Sequence, residues 1–329
     1  MKRAKFAALA AALLTGAVAV SGGVSYIITK KLVELALDRG DVENQESIKK
    51  LLSGETNTEI FARYRDAAAE NLINTPHETV SITAHDGVKL VGHFVGCTEP
   101  KRAIIAMHGW RSSWAKDFGM ISDFLHENAC AVLYAEQRGQ NESGGSYMGF
   151  GLTERFDCLD WINWLNGRGY DTLPIYLCGV SMGAATVLMA SGFTLPENVH
   201  GIIADCGYTS PYAIWKHIAE NNLHLRYDKW MRDTIDEMCR ERINFSSDDF
   251  SCTKALESCR VPVLFIHGTD DNFVPIEMTY ENYKYCDAPK RLLVVPGAGH
   301  GMSYAVDKER YEQTVLQFWR DYDSMDKTQ

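Results

Sequence analysis

The 329-residue sequence has no Lys/Arg cluster within its body, no Cys-x-x-Cys spacing and no His-Glu-x-x-His. Each absence removes a class of function. Nucleic acids are held through a basic field, and a formal net charge of −10 opposes one, so no nucleic-acid partner is expected. The ten histidines are scattered without ligand spacing, so neither a metal nor another cofactor is implied. Nine cysteines make an odd set. Cys178 and Cys206 lie in strand-like apolar runs, where a thiol is a small buried hydrophobe rather than part of a disulfide framework.

What is present is apolar bulk. With 46% hydrophobic residues the chain can bury a large core, and one catalytic domain behind a short leader is the simplest organisation. The leader, residues 1–30, carries Lys2, Arg3 and Lys5, then an uncharged stretch from Phe6 to Thr29. A bilayer takes roughly 20 apolar residues, so this stretch reads as a single-pass membrane anchor. A signal peptide cleaved after Ala17-Val18-Ala19 is the alternative reading, giving a secreted protein. The basic cluster at the extreme N-terminus places that end in the cytoplasm and the rest outside. Residues 31–77 are rich in charge and helix formers and read as a helical linker, with no catalytic residues expected there.

From residue 78 to 329 the pattern is that of a catalytic domain. Val80, Ile82, Val88, Leu90 and Val91 alternate around the turn at His85-Asp86-Gly87, which predicts an antiparallel pair. Continuous apolar runs at 103–107, 130–135, 174–180, 200–205 and 261–266, with a further strand at 291–295, alternate with helical segments. That alternation predicts an α/β fold with a mostly parallel sheet covered by helices on both faces. The interval of about 207–259 lacks a strand and reads as a helical cap insertion. Tyr212, Trp215, Tyr227, Trp230, Met231 and Met238 either line an apolar pocket there or pack the cap onto the domain.

One stretch organises the chemistry. Gly179-Val180-Ser181-Met182-Gly183 follows a strand-like run and opens an Ala-rich helix, the context in which a serine sits on a sharp turn at the top of a sheet. Active groups of an open α/β sheet collect at the strands' carboxyl ends, and Ser181, Asp270/Asp271 and His300 all hold such positions.

Their chain order, serine then aspartate then histidine, resembles that of the α/β-hydrolase superfamily. His108-Gly109-Trp110 is similar to its oxyanion turn, Gly179 to Gly183 to its nucleophile elbow, His267-Gly-x-x-Asp271-x-x-Val-Pro275 to its acid loop, and Gly299-His300-Gly301 to its histidine loop. The likeness covers roughly Thr79 to Tyr322. Within the superfamily the chain resembles N-terminally membrane-anchored bacterial serine hydrolases of the esterase and prolyl-oligopeptidase-like branch. The loop that usually reads Asp-x-Arg-Gly-x-Gly-x-Ser departs from the pattern here, with Glu136 at the leading aspartate and Asn141 at the second glycine.

The resemblance implies Ser181 as nucleophile, His300 as general base, Asp271 as the acid that orients it, and the backbone N–H groups of Trp110 and Met182 as the oxyanion hole. Asp270 stabilises the turn, Arg138 is a structural donor, and His108 and His267 are packed, hydrogen-bonded histidines. The expected activity is hydrolysis of a small-molecule carboxylic ester through an acyl-enzyme. A serine peptidase or amidase, or a non-catalytic binding protein on the same fold, are the competing readings. A pH–rate limb near the ordinary imidazole value of about 6.5 is expected.

Overall fold

The structure is a computed structural model that describes residues 22–40 and 59–324. In chain order the elements are helices α1 (Gly22–Leu37) and α2 (Glu59–Asn74), strands β1 (Glu78–Thr83), β2 (Lys89–Val95) and β3 (Arg102–Met107), helix α3 (Trp114–Glu127) and β4 (Cys130–Glu136). These are followed by α4 (Glu154–Leu165), β5 (Ile175–Val180), α5 (Met182–Ala190) and β6 (Val199–Asp205). The cap comprises α6 (Pro211–His217), α7 (Lys229–Ile243) and α8 (Cys252–Leu256). The chain closes with β7 (Val263–Gly268), α9 (Ile276–Tyr285), β8 (Lys290–Val295), α10 (Ser303–Val306) and α11 (Lys308–Tyr322).

The strands form one sheet in the order β1-β2-β4-β3-β5-β6-β7-β8. β1 pairs antiparallel with β2, and β2 with β4; every later pairing is parallel. This is the mostly parallel, helix-covered sheet that the alternating pattern predicts, and the α/β-hydrolase fold that the resemblance implies. Side chains along a strand alternate faces, so β3 sends Ala103, Ile105 and Met107 into one core and Ile104 and Ala106 into the other. The first core is closed by α4, α5, the cap and α1, the second by α2, α3 and α11. After β3 the chain steps one way to β4 and then back across to β5. The crevice above β3 and β5 is therefore the sheet's switch point, where ligands of such sheets bind.

The 31–77 segment, expected to be a linker, instead packs on the domain along both of its described helices. Val33 and Leu37 of α1 join the first core, and Ala69 and Leu72 of α2 the second. A helix with one apolar stripe is stabilised only by burying it. Residues 6–21 of the expected anchor lie outside the described residues; 22–29 form the start of α1. Among the described residues no helix is long and apolar enough to cross a membrane.

Candidate active site

Ser181 sits between β5 and α5 with φ 56° and ψ −116°. A non-glycine residue in this region is strained, and close packing of strand against helix maintains it. A Cβ on Gly179 would come within 2.2 Å of the Gly183 carbonyl oxygen, and one on Gly183 within 1.9 Å of that of Met107. Both glycines are required because neighbouring backbones occupy the space of a side chain. The Ser181 N–H donates to Asp205 O at 2.9 Å, which anchors the turn on the adjoining strand.

Three loops at the same sheet edge bring the remaining groups to it. His300, beyond β8, lies 2.8 Å from the Ser181 hydroxyl through Nε2 and 2.7 Å from Asp271 Oδ2 through Nδ1. A carboxylate only accepts, so Nδ1 carries a proton, and in the neutral imidazole Nε2 is left to accept from the serine. Phe273 stacks edge-on to the imidazole with centroids 5.0 Å apart. Asp271, beyond β7, is buried, whereas Asp270 is exposed, turned away towards the Thr269 hydroxyl. The order and spacing read from the sequence thus bring Ser181, His300 and Asp271 into one hydrogen-bonded row.

Asp271 collects more donors than the sequence suggests. Its Oδ1 accepts from the backbone N–H groups of Phe273 (2.9 Å) and Val274 (2.8 Å), and its Oδ2 from His300 and, at 3.0 Å, from His267 Nε2. His267 faces a second acceptor, Val274 O, with the same nitrogen, and its Nδ1 takes the Thr279 hydroxyl at 2.7 Å. It is the packed, hydrogen-bonded histidine expected, but its partner is the acid of the row. Burial alone raises the Asp271 pKa, yet the charge of His300 and the imidazole hydrogen bonds outweigh it and hold the carboxyl well below its ordinary value. For His300 burial pulls down, and the Asp271 charge overrides it, leaving the imidazole well above 6.5. The expectation of a limb near 6.5 is corrected upward on this ground.

Trp110 follows the end of β3, and a Cβ on Gly109 would lie 3.3 Å from that of Ser181, so this turn borders the serine. Gly109 N–H is already used by Asp117 (2.6 Å) and Arg111 N–H by Gln140 (2.6 Å). The N–H groups of Trp110 and Met182 donate to no other group among the described residues, and Met182, as first residue of α5, has no acceptor a turn earlier.

His108 is fully buried and meets Glu136 at 2.9 Å. The two residues that depart from the usual loop pattern touch one another: Asn141 Nδ2 donates to Glu136 Oε2 at 2.5 Å. Asn141 keeps a φ of 46°, the left-handed conformation that a glycine would supply, and also donates to Ser112 O at 2.8 Å. Arg138 forks onto Asp157 and reaches Asp86 at 2.6 Å, as a structural donor should.

The row opens into a largely apolar cavity, about 780 Å³ of space counted together with the solvent at its open mouth. Of the aromatic and methionine side chains predicted for the cap, Trp215, Tyr227 and Met231 line it. Met238 is packed in the core, Tyr212 meets Tyr227 edge-to-face, and Trp230 is exposed. Another wall comes from α1 through Leu32, Leu35 and Ala36, where no site residues are expected from sequence. Cys206 is a second neighbour without a sequence signal. It follows β6 at φ 49°, and its sulfur lies with ligand atoms of Asp271 and His300, all within 4.8 Å of one another.

The prolyl oligopeptidase family matches residues 117–325, a stretch that holds the elbow and the loops of Asp271 and His300. The chain belongs to that family. Members of this family are hydrolases, and the chain is accordingly a hydrolase of the α/β-hydrolase fold. Protein YqkD of Bacillus subtilis is 26% identical over 235 residues, spanning 70% of this chain and 75% of its own. The esterase Pf2001 of Pyrococcus furiosus superposes with a TM-score of 0.62 at 21% identity, over 77% of this chain and 93% of its own. A puromycin-hydrolyzing peptidase of Mycobacterium tuberculosis superposes at 0.58 with 15% identity, over 76% of this chain and 40% of its own. Structures so distant in sequence share the fold alone. The family match starts downstream of α1 and Trp110.

Proposed function

We propose that the protein is a serine hydrolase that cleaves carboxylic esters bearing an apolar acyl group. The observation carrying this reading is that the Ser181 hydroxyl, hydrogen-bonded to His300, is a polar group at the wall of an otherwise apolar cavity. Ser181 would attack the acyl carbonyl while His300 Nε2 takes its proton, and the Asp271 charge would stabilise the imidazolium. The N–H groups of Trp110 and Met182 would hold the tetrahedral oxyanion. His300 then protonates the departing alcohol, and water, activated by the same nitrogen, releases the acid. Among the described residues no carboxylate, ammonium or guanidinium lines the cavity to fix a peptide's termini, which favours acyl esters over peptides. Fluorophosphonate labelling and p-nitrophenyl ester hydrolysis, both lost in Ser181→Ala, are expected. Faster Ser181-dependent cleavage of aminoacyl or prolyl amides than of esters would move the assignment to a peptidase, and an unlabelled, folded protein would move it to a binding protein.

The same proposal keeps Phe6–Thr29 as a membrane anchor with the hydrolase outside the cytoplasm, on the length and lack of charge of that stretch. Membrane fractionation that resists high salt is expected; soluble protein beginning at Val20 would replace the anchor with a cleaved signal.

A further inference from the structure

We infer that α1 is a working part of the active site: its side chains form the acyl-binding wall, and its carboxyl end sets the oxyanion turn. The inference rests on the ester reading for its substrate but has its own observations.

The last turn of any helix leaves its carbonyls without partners inside the helix. In α1 these carbonyls are taken by the loops that build the site. Leu35 O accepts from Arg111 Nε (3.1 Å) and Nη2 (2.8 Å), and Asp38 O from Arg111 Nη2 (2.7 Å). Ala36 O accepts from the Trp110 indole (2.9 Å), and Leu37 O from Met148 N–H (2.7 Å). The guanidinium also complements the negative end of the helix dipole. Trp110 and Arg111 are therefore held by their side chains on α1, in the turn that borders the serine. Arg111 has a left-handed φ of 48°, which needs such an outside constraint.

Two further contacts fix the helix end. Asp38 pairs with Arg242 of the cap at 2.7 Å, and Arg39 donates to Asn141 O at 2.6 Å in the loop after β4. The helix thus joins three parts of the site, namely oxyanion turn, β4 loop and cap. With its end pinned, its Leu32, Leu35 and Ala36 side chains become a fixed boundary of the cavity. Ala36 is the smallest of the three. A larger side chain there shortens the space that an acyl chain can enter.

The test uses the full-length protein and two variants with different signatures. In Ala36→Phe the ratio of kcat/KM for p-nitrophenyl octanoate to acetate should fall. Each excluded methylene is worth about fourfold, so losing two or three gives roughly 15- to 60-fold. In Arg111→Gln, assayed well below its melting temperature, kcat should fall about equally for both esters with little change in KM, the mark of a transition-state interaction. A chain-length ratio in Ala36→Phe within twofold of wild type would overturn the wall. An unchanged kcat in folded Arg111→Gln would overturn the brace. Binding of a dansyl-labelled medium-chain fatty acid to Ser181→Ala, with and without Ala36→Phe, reads the wall without chemistry. Loss of that binding in the double variant upholds the wall even if no ester is hydrolysed, whereas equal binding in both overturns it.

Discussion

Replacing Asp271 by Asn removes one charge and changes almost no volume, and the structure says how much that change should cost. Four N–H donors converge on the carboxylate: two backbone groups on Oδ1 and two imidazoles on Oδ2. An amide offers one accepting oxygen and one donating nitrogen. The N–H groups of Phe273 and Val274 cannot reverse, so the oxygen must face them and the amide nitrogen must face the histidines. His300 then has to accept at Nδ1, which moves its proton to Nε2, the atom that must take the Ser181 proton. A base held in the wrong tautomer costs about 10⁴ in kcat, or about 5 kcal/mol of barrier. Folding should suffer far less, by about 1–3 kcal/mol, because His267 can shift its proton to Nδ1 and donate to the Thr279 hydroxyl. Steady-state kinetics on a p-nitrophenyl ester, with active sites counted by fluorophosphonate titration, and thermal melts measure the two quantities. The exposed Asp270 supplies the control: Asp270→Asn should stay within a few-fold of wild type. If Asp271→Asn keeps more than a tenth of the activity, the assigned acid is wrong.

Three other outcomes are expected. Because His300 must be neutral to act as base and the Asp271 charge raises its pKa, the rate should be low at acid pH and climb through a midpoint above 6.5; a limb centred at or below 6.5, with chemistry rate-limiting, would contradict the pairing. Ser181→Ala should lower turnover by roughly 10⁴ to 10⁶, and adding His300→Ala should cost little more because the two act as one unit; multiplicative losses would refute that unity. Glu136 and Asn141 should be coupled, so a double-mutant cycle of Glu136→Asp and Asn141→Gly read by thermal or chemical unfolding should show an interaction of about 0.5–3 kcal/mol; simple additivity would show that their contact is incidental.

Much of the site was legible because its signals are local. The elbow is a strand, a turn and a helix in contiguous residues, and small residues must flank Ser181 wherever neighbouring backbones come this close. Asp271 could be separated from Asp270 by its spacing to Val274-Pro275, because its Oδ1 caps the N–H groups of the residues two and three positions on. The strand runs and their alternation likewise follow from burial on one or both faces. His267 could have been linked to Asp271 by its offset of four residues in the same loop, had the turn's shape been known.

The sequence by itself therefore determined the order of strands and helices, the strained turn of Ser181 and the identity of its partners, since each is written in short-range spacing and side-chain type. Only the tertiary structure decided where α1 goes. Its amphipathic stripe demands burial without naming a partner, and its ties to Trp110, Arg111 and Met148 run through its own backbone carbonyls, which every residue carries. A contact made by backbone atoms leaves no mark on residue choice along α1. The depth and length of the apolar cavity, which α1 helps to line, could thus be set only when the chain closed on itself.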